Sequence, residues 1–198
     1  MLLFFSSLVY ALDGQSSSFF PSADPILGNR GRIIAGISWE KQQEPSPMVH
    51  MTIAVPKGLM DIGYVYPDRI SWNYRYPIHI KTIWTSAPFL SVRYDDQFFS
   101  TIGVSNLLHI STVKIDVSFG LLSYQEKFKI PPSALYDLEA GLSFPPAPRQ
   151  EIRFGYSNVY NHELNIRYQR SGTWFVHDIQ MGAGLESWRI QAGAGVRR

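Results

Sequence analysis

From residue 31 nearly to its end, this chain alternates. Ile70, Trp72, Tyr74, Tyr76, Ile78 and Ile80 recur at every second position, with Ser71, Asn73, Arg75, Pro77 and His79 between them. Side chains of an extended strand point to opposite faces, so this spacing builds a ribbon with one apolar, aromatic face and one polar face. Val113, Ile115, Val117, Phe119 and Leu121 oppose Lys114, Asp116, Ser118 and Gly120 in the same way. Leu164, Ile166 and Tyr168 oppose Glu163, Asn165, Arg167 and Gln169, and Trp188, Ile190, Ala192, Ala194 and Val196 oppose Arg189, Gln191, Gly193, Gly195 and Arg197. No charge interrupts these apolar faces.

Extending the pattern predicts strands over 32–40, 48–56, 60–66, 69–80, 89–95, 98–106, 112–122, 134–144, 151–158, 162–170, 173–185 and 188–198. Tight turns are expected at Pro67-Asp68, Asp95-Asp96, Arg170-Ser171-Gly172 and Glu186-Ser187, and longer links at Lys41–Pro47, Lys81–Pro88, Ser123–Ser133 and Pro145–Gln150. Neither an amphipathic helix nor an internal repeat is evident.

Two architectures use such ribbons. A secreted β-sandwich presses the apolar faces of two sheets together, whereas a membrane barrel turns them outward to lipid. Three features favour the barrel. Several runs alternate for roughly nine to twelve residues, about the length that crosses hydrocarbon on a tilt and longer than the strand of roughly five or six usual elsewhere. Trp39, Trp72, Tyr168 and Trp188 stand near strand ends, as in an interfacial girdle. The polar faces are rich in Gly, Ser and Asn, which suit a crowded interior. Hydrocarbon offers no hydrogen-bond partners, so the strands must pair around a closed ring. The expected fold is all-β, a single antiparallel transmembrane β-barrel of about 10–12 strands, with twelve the preferred count, over residues 31–198. The alternative is a secreted soluble β-sandwich or β-barrel binding domain.

Composition fits this expectation. Charged residues are only 17% and aromatics reach 14%, against roughly 25% charged in soluble domains. No later stretch offers the uninterrupted apolar run of a spanning helix. Ahead of the strands, Leu2–Val9 is a short apolar run and Val9-Tyr10-Ala11 resembles a small-residue cleavage box, although no Lys or Arg precedes it. Residues 1–11 are expected to be a signal peptide and 12–30 an extended, Ser/Pro-rich lead-in. There is no cysteine, which excludes disulfides, thiolate metal sites and a Cys nucleophile, and the net charge is +2 with no dense basic cluster, which argues against nucleic acid.

Over about residues 31–198, repeated segments such as Ile70–Ile80 and Glu163–Arg170 and a terminal strand give the chain a resemblance to the bacterial outer-membrane β-barrel proteins. Members commonly finish on an aromatic residue, whereas this chain ends Gly195-Val196-Arg197-Arg198. The lead-in Asp24-Pro25-Ile26-Leu27 gives a looser likeness to the FadL-like and PorV-like barrels. The resemblance implies residence in the outer membrane.

The polar faces then line an enclosed interior. Arg75, Arg93, Lys114, Asp116, Glu163, Arg167, Asp178 and Arg189 are the candidate lumen-lining residues, joined in the same register by Glu40, Asp95, Asp137, Glu139, Glu151, Arg153 and Arg197. The two signs nearly balance, which favours internal ion pairing over a ring of one charge. His50, His79, His109, His162 and His177 lack metal-ligand spacing, no G-x-S-x-G elbow occurs, and Gly182-Ala183-Gly184 and Gly193-Ala194-Gly195 lack the strand–loop–helix setting of a phosphate cradle. Neither catalytic residues nor a cofactor or metal is expected. The expected role is a non-enzymatic small pore or transporter for polar or amphipathic solutes, or a membrane anchor for an envelope complex that docks a protein partner on Ser123–Ser133, with Tyr124 and Phe128 as anchors.

Overall fold

The computed structural model describes residues 31–81, 83–95, 97–125, 136–158, 163–184 and 188–197. Thirteen strand segments run in chain order: β1 Arg32–Glu40, β2 Ser46–Val55, β3 Gly58–Val65, β4 Arg69–Arg75, β5 Ile78–Lys81, β6 Trp84–Asp95, β7 Gln97–Ile110, β8 Val113–Gln125, β9 Tyr136–Phe144, β10 Gln150–Ser157, β11 Glu163–Ser171, β12 Phe175–Ala183 and β13 Trp188–Arg197. Each pairs antiparallel with its chain neighbour except across one break. β1 closes the ring against β13, and β4 and β5 both pair with β6. β4 and β5 are therefore two halves of one stave, and the sheet is a closed barrel of twelve staves. Closure leaves no open edge, as a strand bundle in hydrocarbon requires.

The stave expected over 69–80 is interrupted at Tyr76-Pro77. Pro77 has no N–H to donate to a ladder. Across the gap, the Tyr76 amide donates to the Pro88 carbonyl at 3.0 Å. Pro88 sits inside β6, opposite Val104 of β7, so its own missing N–H falls where the neighbouring stave is already broken. This corrects the expected link over Lys81–Pro88: β6 begins at Trp84, and the prolines mark a gap in pairing, not a loop.

The correct strand ends also sort the connections. The strand ends joined by 41–45, 66–68, 96, 126–135, 158–162 and 184–187 lie at one end of the barrel, whereas those joined by 56–57, 82–83, 111–112, 145–149 and 172–174, together with both ends of the barrel chain, lie at the other. The longest connection, 126–135, is at the first end and the three two-residue turns and both termini are at the second, the general arrangement of outer-membrane barrels, although 96 and 66–68 are short and 145–149 is as long as 41–45. The first is called the loop end and the second the terminus end below.

Polarity is inverted relative to a soluble domain. Leu164 is 67% exposed while its neighbour Glu163 is 2% exposed, and Met181 is 54% exposed beside Gln180 at 2%. β12 alternates in full, with Phe175, His177, Ile179, Met181 and Ala183 outside and Val176, Asp178, Gln180 and Gly182 inside. Among the described residues, twenty-six buried side chains are polar or charged and eight are hydrophobic. A sandwich would bury Leu164 and Ile166 and expose Glu163 and Asn165. The observed burial is the reverse, which overturns the soluble-sandwich alternative.

Aromatic residues mark both rims. Trp39 and Trp188 meet edge to face at 5.1 Å at the loop end. Trp84 and Trp174 stand exposed at the terminus end, where such amphipathic rings suit the headgroup level. Inside, Phe89 of β6 spreads over two glycines. A Cβ on Gly103 would meet its Cζ at 2.5 Å and one on Gly120 at 3.1 Å. The ring fills space that the bare backbone leaves, a pairing known to steady glycine in sheets.

Candidate functional site

The barrel interior carries acids and bases in equal number among the described residues. Glu40, Asp61, Asp116, Asp137, Glu139, Glu151, Glu163 and Asp178 face it, as do Arg32, Arg69, Arg75, Arg93, Lys114, Arg153, Arg167 and Arg189. The alternation that sends Ile, Phe and Tyr outward sends these inward, because residues two apart on a strand share a face.

The pairs form two tiers. Near the loop end, three ion pairs reach across intervening staves. Arg69 Nη1 lies 2.6 Å from Glu40 Oε1, Arg93 Nη2 lies 2.9 Å from Asp137 Oδ2, and Arg189 Nη2 lies 2.9 Å from Glu163 Oε1. Thr101 adds a hydroxyl hydrogen bond to Asp137 Oδ2 at 3.0 Å. Each pair bridges strands that are not direct neighbours, so it braces the wall as well as neutralising itself.

The second tier lies toward the terminus end. Arg75 Nη2 is 3.3 Å from Asp61 Oδ2, and Lys114 Nζ is 2.7 Å from Glu151 Oε2. Thr52 donates to Asp61 Oδ1 at 2.7 Å and receives a bond from Arg32 Nε at 3.2 Å. Arg167 of β11 reaches diagonally to Asp178 of β12 in a forked contact, with Nε to Oδ1 at 2.8 Å. Arg153 is the most connected cation. It holds Asp116 through both oxygens, at 3.0 and 2.6 Å, and Glu139 Oε1 at 2.7 Å. Its guanidinium rests where Cβ atoms on Gly141 and Gly155 would sit, at 2.5 and 2.6 Å. One glycine on the neighbouring β9 and one two residues along on its own strand thus clear the floor for one arginine. Forked, charge-assisted contacts of this kind are the stronger class of hydrogen bond.

All eight residues singled out from sequence as lumen-lining lie on the interior face: Arg75, Arg93, Lys114, Asp116, Glu163, Arg167, Asp178 and Arg189. They do not gather at one point. They divide between the two tiers, each with an oppositely charged partner. Glu40, Asp137, Glu139, Glu151 and Arg153 complete the pairs, and the side chains of Asp95 and Arg197 lie outside the described residues. Sequence reading missed Asp61, Arg69 and Arg32. Asp61 sits in β3, where Leu59 and Val65 turn inward with it, so that strand shows no clean polar face to read.

Among the described residues no group of three or more His, Cys, Asp and Glu is placed to hold a metal. His50 is buried with Nε2 at 3.7 Å from Asp61 Oδ1, while His177 faces outward. Most of the 123–133 segment considered for partner docking, Phe128 included, falls outside the described residues, and so does Tyr124's side chain.

Neither a protein-family profile nor any curated protein matches the chain. Solved structures do. A KdgM porin superposes with a TM-score of 0.65 at 7% identity, covering 83% of this chain and 98% of the porin. The NanC porin gives 0.63 at 9% identity, with coverage of 83% and 98%. The outer-membrane protein Omp33 of Acinetobacter baumannii gives 0.54 at 7% identity, covering 86% of this chain and 98% of its own. At such identities the likeness is one of fold. A closed barrel, an apolar exterior, rim aromatics and this superposition together give the chain the twelve-stave fold that these outer-membrane porins share.

Proposed function

We propose that the chain is a narrow pore for small polar or amphipathic solutes in the outer membrane of a bacterial cell. The observation that carries this reading is the barrel interior. It is polar and charged along its length, yet among the described residues its eight acids and eight bases are partnered so as to leave little net field. A ring of one sign selects ions by charge. A balanced wall instead favours passage by size and hydrogen bonding, with weak preference between cations and anions. Arg75, Arg93, Lys114, Asp116, Glu163, Arg167, Asp178 and Arg189 line this path. The superposed KdgM porin has also been solved in complex with disordered oligogalacturonate, which supports a solute-conducting role for a barrel of this shape. The apolar run Leu2–Val9 and the lead-in over 12–30 fit delivery of the strands to the envelope as an exported chain.

Planar-bilayer recording of detergent-refolded protein tests the reading. Stepwise conductance with a reversal potential close to zero in a salt gradient is expected. A barrel that inserts, shifts its gel mobility on heating and passes no current would overturn it.

A further inference from the structure

Along the hydrogen-bonded register, Arg153, Arg167, Gln180, Gln191 and Ser38 are successive direct partners on β10, β11, β12, β13 and β1. All face inward. Barrel strands tilt, so a row of direct partners climbs the wall as it turns. Arg153 is in the middle of β10, whereas Ser38 is two residues from the loop end of β1. The row therefore ascends from charged to uncharged groups.

The charged steps are occupied: Arg153 is held by Asp116 and Glu139, and Arg167 by Asp178. The uncharged steps are not. Gln180 is 2% exposed, and neither its Nε2 nor its Oε1 has a hydrogen-bond partner. Gln191, directly opposite and 4% exposed, spends Nε2 on Ser38 Oγ at 3.1 Å and leaves Oε1 unmet. Asn165, also 2% exposed, accepts from Arg153 Nη1 at 3.2 Å and leaves Nδ2 unmet. Two amide nitrogens and two amide oxygens thus stand unsatisfied on three adjacent staves. Unmet buried amides are costly, and the cost is relieved by whatever supplies both donors and acceptors at that place. A hydroxyl supplies both in one group, whereas a carboxylate supplies acceptors only and an ammonium donors only.

We propose that Asn165, Gln180 and Gln191 form a recognition step for uncharged, polyhydroxylated solutes, a small sugar or polyol, on the barrel wall. The proposal rests on the pore reading and narrows its solute class. Sucrose is the probe, with the hydroxyl-free glycine betaine as control. Sucrose is expected to interrupt the single-channel current in a saturable way and to release or absorb heat on titration into the detergent-folded barrel, with betaine doing neither. In Gln180→Leu and in Gln180→Leu/Gln191→Leu, checked for folding by heat-modifiable migration, the half-saturating sucrose concentration should rise at least tenfold.

Conductance without sucrose binding, or equal binding by folded variants, overturns the recognition step, and the amides are then met by ordered water only. Binding heat without conductance upholds the step and overturns the pore. Loss of both overturns both.

Discussion

Arg153 neutralises Asp116 and Glu139 at once, so its removal leaves two interior acids beside each other. Breaking one side of a buried ion pair costs about 3–5 kcal/mol, whereas the intact pair contributes much less than that over an apolar substitute. Arg153→Gln should therefore lower the urea midpoint of the vesicle-inserted barrel, and it also tips the interior toward net negative charge. Its reversal potential in a salt gradient should move toward cation selectivity, and that of Glu139→Gln toward anion selectivity. Unchanged potentials in both would show that the second tier lies off the conducting path. The alternating register made most of these residues legible in the sequence. Their partners were not, because Arg69 finds Glu40 across two intervening staves, a relation that no spacing along the chain encodes.

At the level of the strand, depth in the bilayer decides what an outward residue costs. Ile102 lies near the middle of β7 and is 58% exposed, while Ile110 ends the same strand. A lysine on the lipid face costs about 2–4 kcal/mol at the midplane and about 0–1 near the interface. Ile102→Lys should thus destabilise folding into vesicles by about 2–4 kcal/mol and Ile110→Lys by no more than about 1, measured by reversible urea unfolding. Equal penalties would contradict a lipid-facing exterior. The prolines make the complementary point. The sequence pattern runs a strand through Pro77 and ends a link at Pro88, yet Pro77 is the one that interrupts a stave. The other is embedded in β6 beside that break, where its carbonyl still accepts from the Tyr76 amide.

The whole molecule has a direction that its individual strands lack. With the termini on one side, the segments at 41–45 and 56–57 are on opposite sides of the membrane. A protease site inserted at 41–45 should be cut in intact cells, and one at 56–57 only after the envelope is opened. The reverse result would invert the barrel. This sidedness was obscured in the sequence because reading a link across Lys81–Pro88 placed one long loop at the wrong end.

By itself the amino-acid sequence determined which residues share a face, since alternation is local geometry that each strand carries in its own φ and ψ. It therefore determined the strands, nearly all of their limits and the list of inward candidates. Which way the faces turn was decided only by closure. The same ribbon can bury its apolar side or show it, and the choice depends on whether β1 finds β13 and the sheet becomes a ring. Closure also set the register between strands distant in sequence, and with it the two tiers of ion pairs and the amide row from Gln180 to Ser38. Those are contacts of position around a barrel, and position around a barrel exists only once the barrel has formed.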